Sequence, residues 1–376
     1  MCGIAGIYDL RGDNRIQRET IIRMIEKIKH RGPDGTNTYM DCNIALGFAR
    51  LGLIDLDNGM QPIANEDGTI ILICNGEIYN YKELRHSMKQ RGHRFRTNTD
   101  VEVILHLYEE YETEFLNQLN GQFSFSIYDK KKNELFCARD QVGITPFFYT
   151  IIDGLFIFAS EIKAILEHER VERKVDLTAM DQIFTFPGIV APRTMFKNIN
   201  SLEHGHYLRI SSERIRNVEY WDLEYPGQEI GFENSDIPGY VDELEEILKE
   251  SIKTRLHADV PVGFYLSGGL DSSLISYYAD KYIKGEKNSF SINFPDKRIS
   301  EAESQNLMVN QIHSVHSESM VSPKSIARLL PTAVYHSETP LKETYNTASF
   351  ILSESVHRKN MKAVLTGEGA DELFGG

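Results

Sequence analysis

Residues 224–240 most constrain the fold, because two different hydrophobic rhythms meet there. The segment is rich in Gly, Pro, Asp, Glu and Asn, carries little apolar periodicity and reads as a linker. Before it, apolar runs of strand length recur at 4–8, 45–51, 70–75, 122–128, 134–139 and 155–159, mostly bounded by Gly, Asp or Asn. Amphipathic helices are expected at 17–29 and 101–110, the first with Ile21, Ile22, Ile25 and Ile28 on its packing face. That pattern predicts an α+β domain of stacked sheets with helices outside. After the break, strands at 260–266, 289–294 and 361–365 alternate with helices at 241–256 and 272–281, which predicts an α/β domain on a parallel sheet. The expected limits are 2–215 for the first domain, 216–238 for the linker and 239–376 for the second. A chain of 376 residues is too long for one ordinary core. Ending on Phe374-Gly375-Gly376, just after a turn signal, reads as an interrupted domain.

The bulk chemistry narrows the class of function. A net charge of −14 argues against non-specific nucleic-acid binding, yet leaves room for a phosphate held by backbone amides. Cys2, Cys42, Cys74 and Cys137 are widely spaced and form no C-x-x-C pair, so neither a zinc site nor a disulfide framework is indicated. With no basic-then-apolar leader and no run of about 18 apolar residues, a cytoplasmic enzyme with no membrane contact is the expectation.

Two sites stand out. Cys2 follows only Met1. Loss of Met1 would leave a residue holding both a thiol and an α-amine, whose usual pKa of about 7.7–8.0 suits it to accept the thiol proton. In the second half, Ser267-Gly268-Gly269-Leu270-Asp271-Ser272-Ser273 joins a strand to a helix. Glycines that let amides approach, hydroxyls and a helix N-terminus together make a phosphate nest. No Lys follows the second glycine, so this is not a Walker A loop. It is the SGGxDS pattern associated with ATP cleaved between its α and β phosphates; the plainer alternative is a helix cap by Asp271 or Ser272. Thr366-Gly367-Glu368-Gly369-Ala370-Asp371-Glu372 follows another strand and would lie at the same carboxyl edge, where open α/β sheets bind ligands.

These motifs, with Met1-Cys2-Gly3-Ile4-Ala5-Gly6, His30-Arg31-Gly32-Pro33-Asp34-Gly35 and Asn75-Gly76-Glu77-Ile78-Tyr79-Asn80, occur in an order that resembles the glutamine-dependent asparagine synthetases. The resemblance implies a class II glutamine amidotransferase domain, an N-terminal-nucleophile sandwich of stacked antiparallel sheets, followed by the start of an ATP-pyrophosphatase synthetase domain. It implies that Cys2 attacks the glutamine amide, releasing ammonia and leaving a thioester for water. Asn75 and Gly76 match the oxyanion donors, which are typically worth about 10²–10³ in rate. Arg50 matches the clamp on the glutamine α-carboxylate, and Asp100 with Glu77 the partner of its α-ammonium. Leu51, Gly52, Leu53 and Ile54 match the rest of the glutamine pocket. Plainer alternatives are a turn for Asn75, a surface pair for Arg50 and a helix cap for Asp100.

In the second domain, Leu266, Ser267, Gly268, Gly269, Asp271, Ser272, Ile292, Thr366 and Gly367 match the ATP site. Asp271 and Asp371 match Mg²⁺ ligands, and Glu368 is the candidate for proton transfer. The implied reaction consumes ATP, aspartate and glutamine and gives AMP, pyrophosphate, asparagine and glutamate, with ammonia travelling through an internal channel. A homodimer is a family-level expectation. No arginine in 336–346 matches the family's aspartate-binding one. The acceptor carboxylate therefore stays open, as does a chain that acts only as a glutaminase.

Overall fold

The computed structural model describes residues 1–13, 15–225 and 237–375. It divides into two compact units, Met1–Glu224 and Tyr225–Gly376. Much of the expected linker, 226–236, lies outside the described residues.

The first unit has four layers. One six-stranded antiparallel sheet runs, edge to edge, Asn200–Ser201, Phe148–Ile152, Leu155–Ala159, Gly3–Asp9, Ile44–Arg50 and Gly35–Asp41. The other runs Ile215–Glu219, His206–Ile210, Glu134–Arg139, Gly121–Asp129, Ile70–Ile78 and Ile63–Ala64. Alternation along each strand decides which side chains meet between the sheets. Ile4, Tyr8, Leu46, Phe48 and Phe158 of the first sheet share a core there with Ile71, Ile73, Cys137 and Leu208 of the second. The other face of the first sheet packs the helix Arg18–Lys27, and that of the second packs Val103–Tyr111. Each fully buried Leu, Ile or Phe contributes roughly 1.5–3 kcal/mol relative to exposure.

Three departures from the sequence reading have simple causes. Ile22 is 43% exposed, while Met24 is fully buried with Ile21, Ile25 and Ile28. At about 100° per residue Ile22 falls off the stripe and Met24 falls on it. Gly35–Asp41 and Val315–Met320 are edge strands whose half-exposed, polar sequences carry no apolar run. The sheet of the first unit also continues through Ile215–Glu219, past the limit expected at 215, because this strand pairs antiparallel with His206–Ile210.

The second unit is a four-stranded parallel sheet in the order Val315–Met320, Asn288–Asn293, Val262–Tyr265, Ala363–Leu365. The chain winds outward from Val262–Tyr265 in one direction and returns to its other side with Ala363–Leu365. The strand order thus reverses between these two, which places the crevice of such a sheet beyond their carboxyl ends. The loops that begin at Leu266 and Thr366 leave from those ends. Among the described residues, no helix is long and apolar enough to cross a membrane.

Candidate active site

Gly3–Asp9 is a central strand of its sheet, so the chain start is held firmly. Cys2 Sγ accepts a hydrogen bond from the Leu51 N–H at 3.3 Å. Its carbonyl accepts from Arg31 Nε at 2.9 Å, and Arg31 pairs through Nη1 with Glu161 at 3.0 Å. Burial pushes the Cys2 thiol above its ordinary value, and the Leu51 N–H offsets only part of that rise. Burial also lowers the pKa of the α-amine at the chain start, here that of Met1. Burial thus disfavours the charged form of both the Cys2 thiol and the Met1 amine.

A cleft of about 540 Å³, including its open mouth, is lined by Cys2, Arg50, Leu51, Gly52, Leu53, Ile54, Gly76, Glu77 and Asp100. Nine of the expected glutamine-site residues thus share one cavity. Asn75 lies just behind that lining. It is fully buried, and strand alternation turns it to the same inter-sheet side as Ile71 and Ile73, against which Cys2 packs. Neither its Nδ2 nor its Oδ1 has a hydrogen-bond partner. An orphaned buried amide costs about 1–3 kcal/mol, so these two atoms are available to a ligand. Gly76 must be glycine because a Cβ there would stand 2.2 Å from the Gln122 carbonyl oxygen across the sheet.

Arg50 is buried and makes no surface pair. Its guanidinium donates to the Leu56 carbonyl at 2.8 Å and to the Asp55 carbonyl. Asp100 is not a helix cap: the residue at that position of Val103–Tyr111 is Glu102, and Asp100 Oδ2 instead accepts from the Ile78 N–H at 2.7 Å. Burial raises the Asp100 carboxyl to about 6, against the lowering pull of Ile78 N–H and Arg85. An ammonium ligand needs the ionised form. The KM for glutamine is therefore expected to climb about tenfold per pH unit as pH falls below about 6, with kcat changing less. Steady-state kinetics between pH 5 and 8 check this, and a flat KM across pH 6 would contradict it. The same shift makes the charge a stability cost. That cost is absent below the ordinary value of 3.8 and grows as pH rises through about 6.

Several residues that build the cleft are not among the expected site residues. Asp55, at φ +52°, accepts Arg50 on its carbonyl and, on its carboxylate, the N–H groups of Asn58 at 3.2 Å and Asn98 at 2.7 Å. Asp34 holds the Gly52 N–H at 2.7 Å. Buried Gln61 bonds both ways to the Cys74 backbone, fixing the strand just before Asn75. Glu102 accepts from the N–H groups of Arg96 and Thr97 and so shapes the turn that ends at Asp100.

In the second unit, Ser267 Oγ meets Ser272 Oγ at 2.9 Å and accepts from the Gly269 N–H at 3.2 Å. The helix Leu270–Tyr282 is capped by Gly269 with no side-chain bond, so Asp271 and Ser272 do not serve as its cap. Gly268, at φ +92°, takes the left-handed turn that a side chain resists. Leu266 is buried and its N–H pairs with the Phe290 carbonyl at 2.9 Å. Ile292 is half-buried near the end of the neighbouring strand, and Gln305 Nε2 ties the Ser267 and Ile292 carbonyls together at 3.2 and 3.3 Å. Gly367 lies against this loop, with its Cβ position 3.0 Å from Ser272 N and 3.1 Å from Asp271 Cβ. The two expected nucleotide segments, with Thr366 and Glu368 flanking Gly367, therefore meet at the crevice. Asp371 is exposed, on the short helix Ala370–Phe374.

Comparison with known proteins follows this division. Residues 1–221 match the glutamine amidotransferase domain family, and residues 243–376 match the asparagine synthase family. The first unit is accordingly a glutamine amidotransferase domain. The chain as a whole belongs to the family of glutamine-hydrolysing asparagine synthetases. It is 33% identical to asparagine synthetase 3 of Bacillus subtilis over 100% of this chain and 63% of that protein. It is 32% identical to putative asparagine synthetase 2 of Methanocaldococcus jannaschii over 100% of this chain and 75% of that protein. It is also 34% identical to amidase chyE of Penicillium rubens over 94% of this chain and 54% of that protein. The chain spans 63%, 52% and 59% of the three Bacillus subtilis synthetases it matches. Among solved structures, a Bacillus subtilis glutamine phosphoribosylpyrophosphate amidotransferase is 15% identical, over 86% of this chain and 91% of its own, with a TM-score of 0.45.

Proposed function

We propose that this chain carries the glutaminase and nucleotide-activating parts of an ATP-dependent amide ligase that makes asparagine from aspartate. The observation that carries the reading is the cleft in which Cys2, buried Arg50 and buried Asp100 stand together. A guanidinium and a carboxylate lining one cleft suit the two charges of a free amino acid, and the thiol lines the same cavity.

After loss of Met1, the Cys2 amine takes the thiol proton and the sulfur attacks the glutamine side-chain carbonyl. The oxyanion that forms is met by Asn75 Nδ2 and the Gly76 N–H. The amine returns its proton to the departing nitrogen as ammonia, and water cleaves the thioester to glutamate. In the second unit, an acceptor carboxylate attacks the α-phosphorus of ATP and pyrophosphate leaves into the nest of Ser267, Gly268, Gly269 and Ser272. Ammonia then displaces AMP from the acyl-adenylate, and Glu368 takes the surplus proton. Leu266 and Ile292 line the adenine side. Asp271 beside a phosphate nest is electrostatically costly without a cation, so the donor set fits Mg²⁺, which Asp271 would hold with Asp371. That ion would neutralise phosphate charge.

A variant separates the two halves. Asp271→Ala is expected to leave glutamate release within about twofold of the parent, since the residue lies outside the first unit, and to reduce ATP-dependent pyrophosphate release by about 10²-fold or more. Coupled assays of glutamate and pyrophosphate read both. Unchanged pyrophosphate release would remove Asp271 from the nucleotide site. A second reading rests on 336–346, which holds no arginine, and on the amidase relative: an acceptor other than aspartate. Pyrophosphate release stimulated by another carboxylate and not by aspartate would favour it.

A further inference from the structure

Four side chains that take no part in the cleft converge on the outer side of the second sheet. We propose that Glu66, His93, His106 and Glu109 form a binding site for one divalent transition metal of the zinc type. Their ligand atoms all lie within 4.8 Å of one another. His93 Nδ1 is 3.4 Å from Glu66 Oε1 and 3.8 Å from Glu109 Oε2. His106 Nδ1 is 3.6 Å from Glu66 Oε2 and 3.3 Å from Glu109 Oε2. His106 Nδ1 and Glu109 Oε2 are within hydrogen-bonding reach, and the other three separations are longer than the usual N–H···O range of about 2.7–3.2 Å. A tetrahedron with metal–ligand bonds of 2.0–2.1 Å has an edge of roughly 3.3–3.4 Å, which the 3.3 and 3.4 Å separations match, while Glu66 faces the two imidazoles with different oxygens, one of which would be the ligand.

The surroundings are those that orient metal ligands. Both imidazoles present Nδ1 to the centre. The opposite nitrogen of each faces a further carboxylate, His93 Nε2 to Glu110 Oε1 at 3.1 Å and His106 Nε2 to Glu102 Oε1 at 3.9 Å. The edge of Phe95 packs on the His106 ring, centroid to centroid 4.4 Å, and His93 lies 4.7 Å away. Glu109 has its Oε1 held by Asn65 Nδ2 at 2.8 Å, leaving Oε2 for both imidazoles. Glu66 Oε1 is held by the Arg94 N–H at 2.8 Å. The histidines are mostly buried and the two glutamates are open to solvent, which provides an entry path.

Two carboxylates would balance the charge of a dication. Without one, burial lowers the His106 pKa, but Glu102 and Glu109 raise it to about 9, so a proton on His106 is the competing occupant. Motif reading misses this cluster, because only His106 and Glu109 share a helical i,i+3 spacing and the other two ligands come from separate loops. Bound metal would brace the helix Val103–Tyr111. Glu102, which shapes the Asp100 turn, would then connect the metal to the glutamine cleft.

The test uses the full chain, stripped with EDTA and carrying Cys2→Ala so that the nucleophile cannot bind metal. Calorimetric titration with ZnCl2 is expected to show one equivalent bound and a raised Tm. Co²⁺ is expected to give the visible bands of four-coordinate nitrogen–oxygen ligation. Glu66→Gln with Glu109→Gln, at solvent-open positions that keep the fold, should weaken Zn²⁺ at least about 100-fold. Failure to bind one equivalent, absence of those Co²⁺ bands, or equal affinity in the double variant would each overturn the proposal.

Discussion

Cys2→Ala is expected to lower glutamine hydrolysis by ~10⁴-fold or more while leaving the fold intact. The side chain is half-buried and its main polar contact is the Leu51 N–H, so little packing is lost. The chemical loss is large because nothing replaces the sulfur. Arg50 and Asp100 can still hold glutamine, so the variant should bind it with an affinity close to that of the parent. Calorimetry for binding and a coupled assay for glutamate read the two properties separately. Activity within tenfold of the parent would remove Cys2 from the mechanism. The same logic extends to Met1. A chain that keeps Met1, prepared with methionine aminopeptidase inhibited and verified by mass, has an amide where the base should be. It is expected to be as inactive as Cys2→Ala.

Asn75→Leu should separate catalysis from stability in opposite directions. It removes the proposed oxyanion donor, so kcat is expected to fall by about 10²–10³-fold with KM nearly unchanged. It also replaces two unpartnered buried polar atoms by apolar ones beside Ile71 and Ile73. The variant is therefore expected to be more stable by about 1–3 kcal/mol in denaturant unfolding. Loss of activity together with loss of stability would mean that Asn75 is a packing residue. Such an exchange, activity gained for stability lost, is the usual mark of a functional polar group kept in a core.

The residues that touch substrate in this reading were legible because each sits in a short motif whose local chemistry is unusual. Cys2 beside the chain start, Arg50 at the end of an apolar strand and Asp100 before a helix all stand out against their neighbours. The contacts that hold them were not legible, even where the residue, as with Asp34, lies in a motif. Asp55, Asp34, Gln61 and Glu102 act on backbone atoms of Asn98, Gly52, Cys74 and Thr97, and only folding brings those pairs together. The central strands were readable from apolar runs, whereas the edge strand Gly35–Asp41 was hidden by its polar, half-exposed composition. Helix Tyr81–Gln90 is mostly polar and buries only Met88 completely, so it offered few apolar positions to read. The second unit followed from alternation of strand and helix, and its loop pair from the reversal of strand order.

Asp55 links the guanidinium of Arg50, which its carbonyl accepts, to the turn that carries Asp100, whose Asn98 N–H its carboxylate accepts. The site therefore behaves as a caliper with its jaws pinned to a common pivot. Neither jaw can retreat to admit a longer backbone without dragging the other. In the proposed function, discrimination between glutamine and amino acids of other lengths would then be set by rigid spacing, and loosening the pivot would broaden what the site accepts before it weakened the grip on glutamine itself.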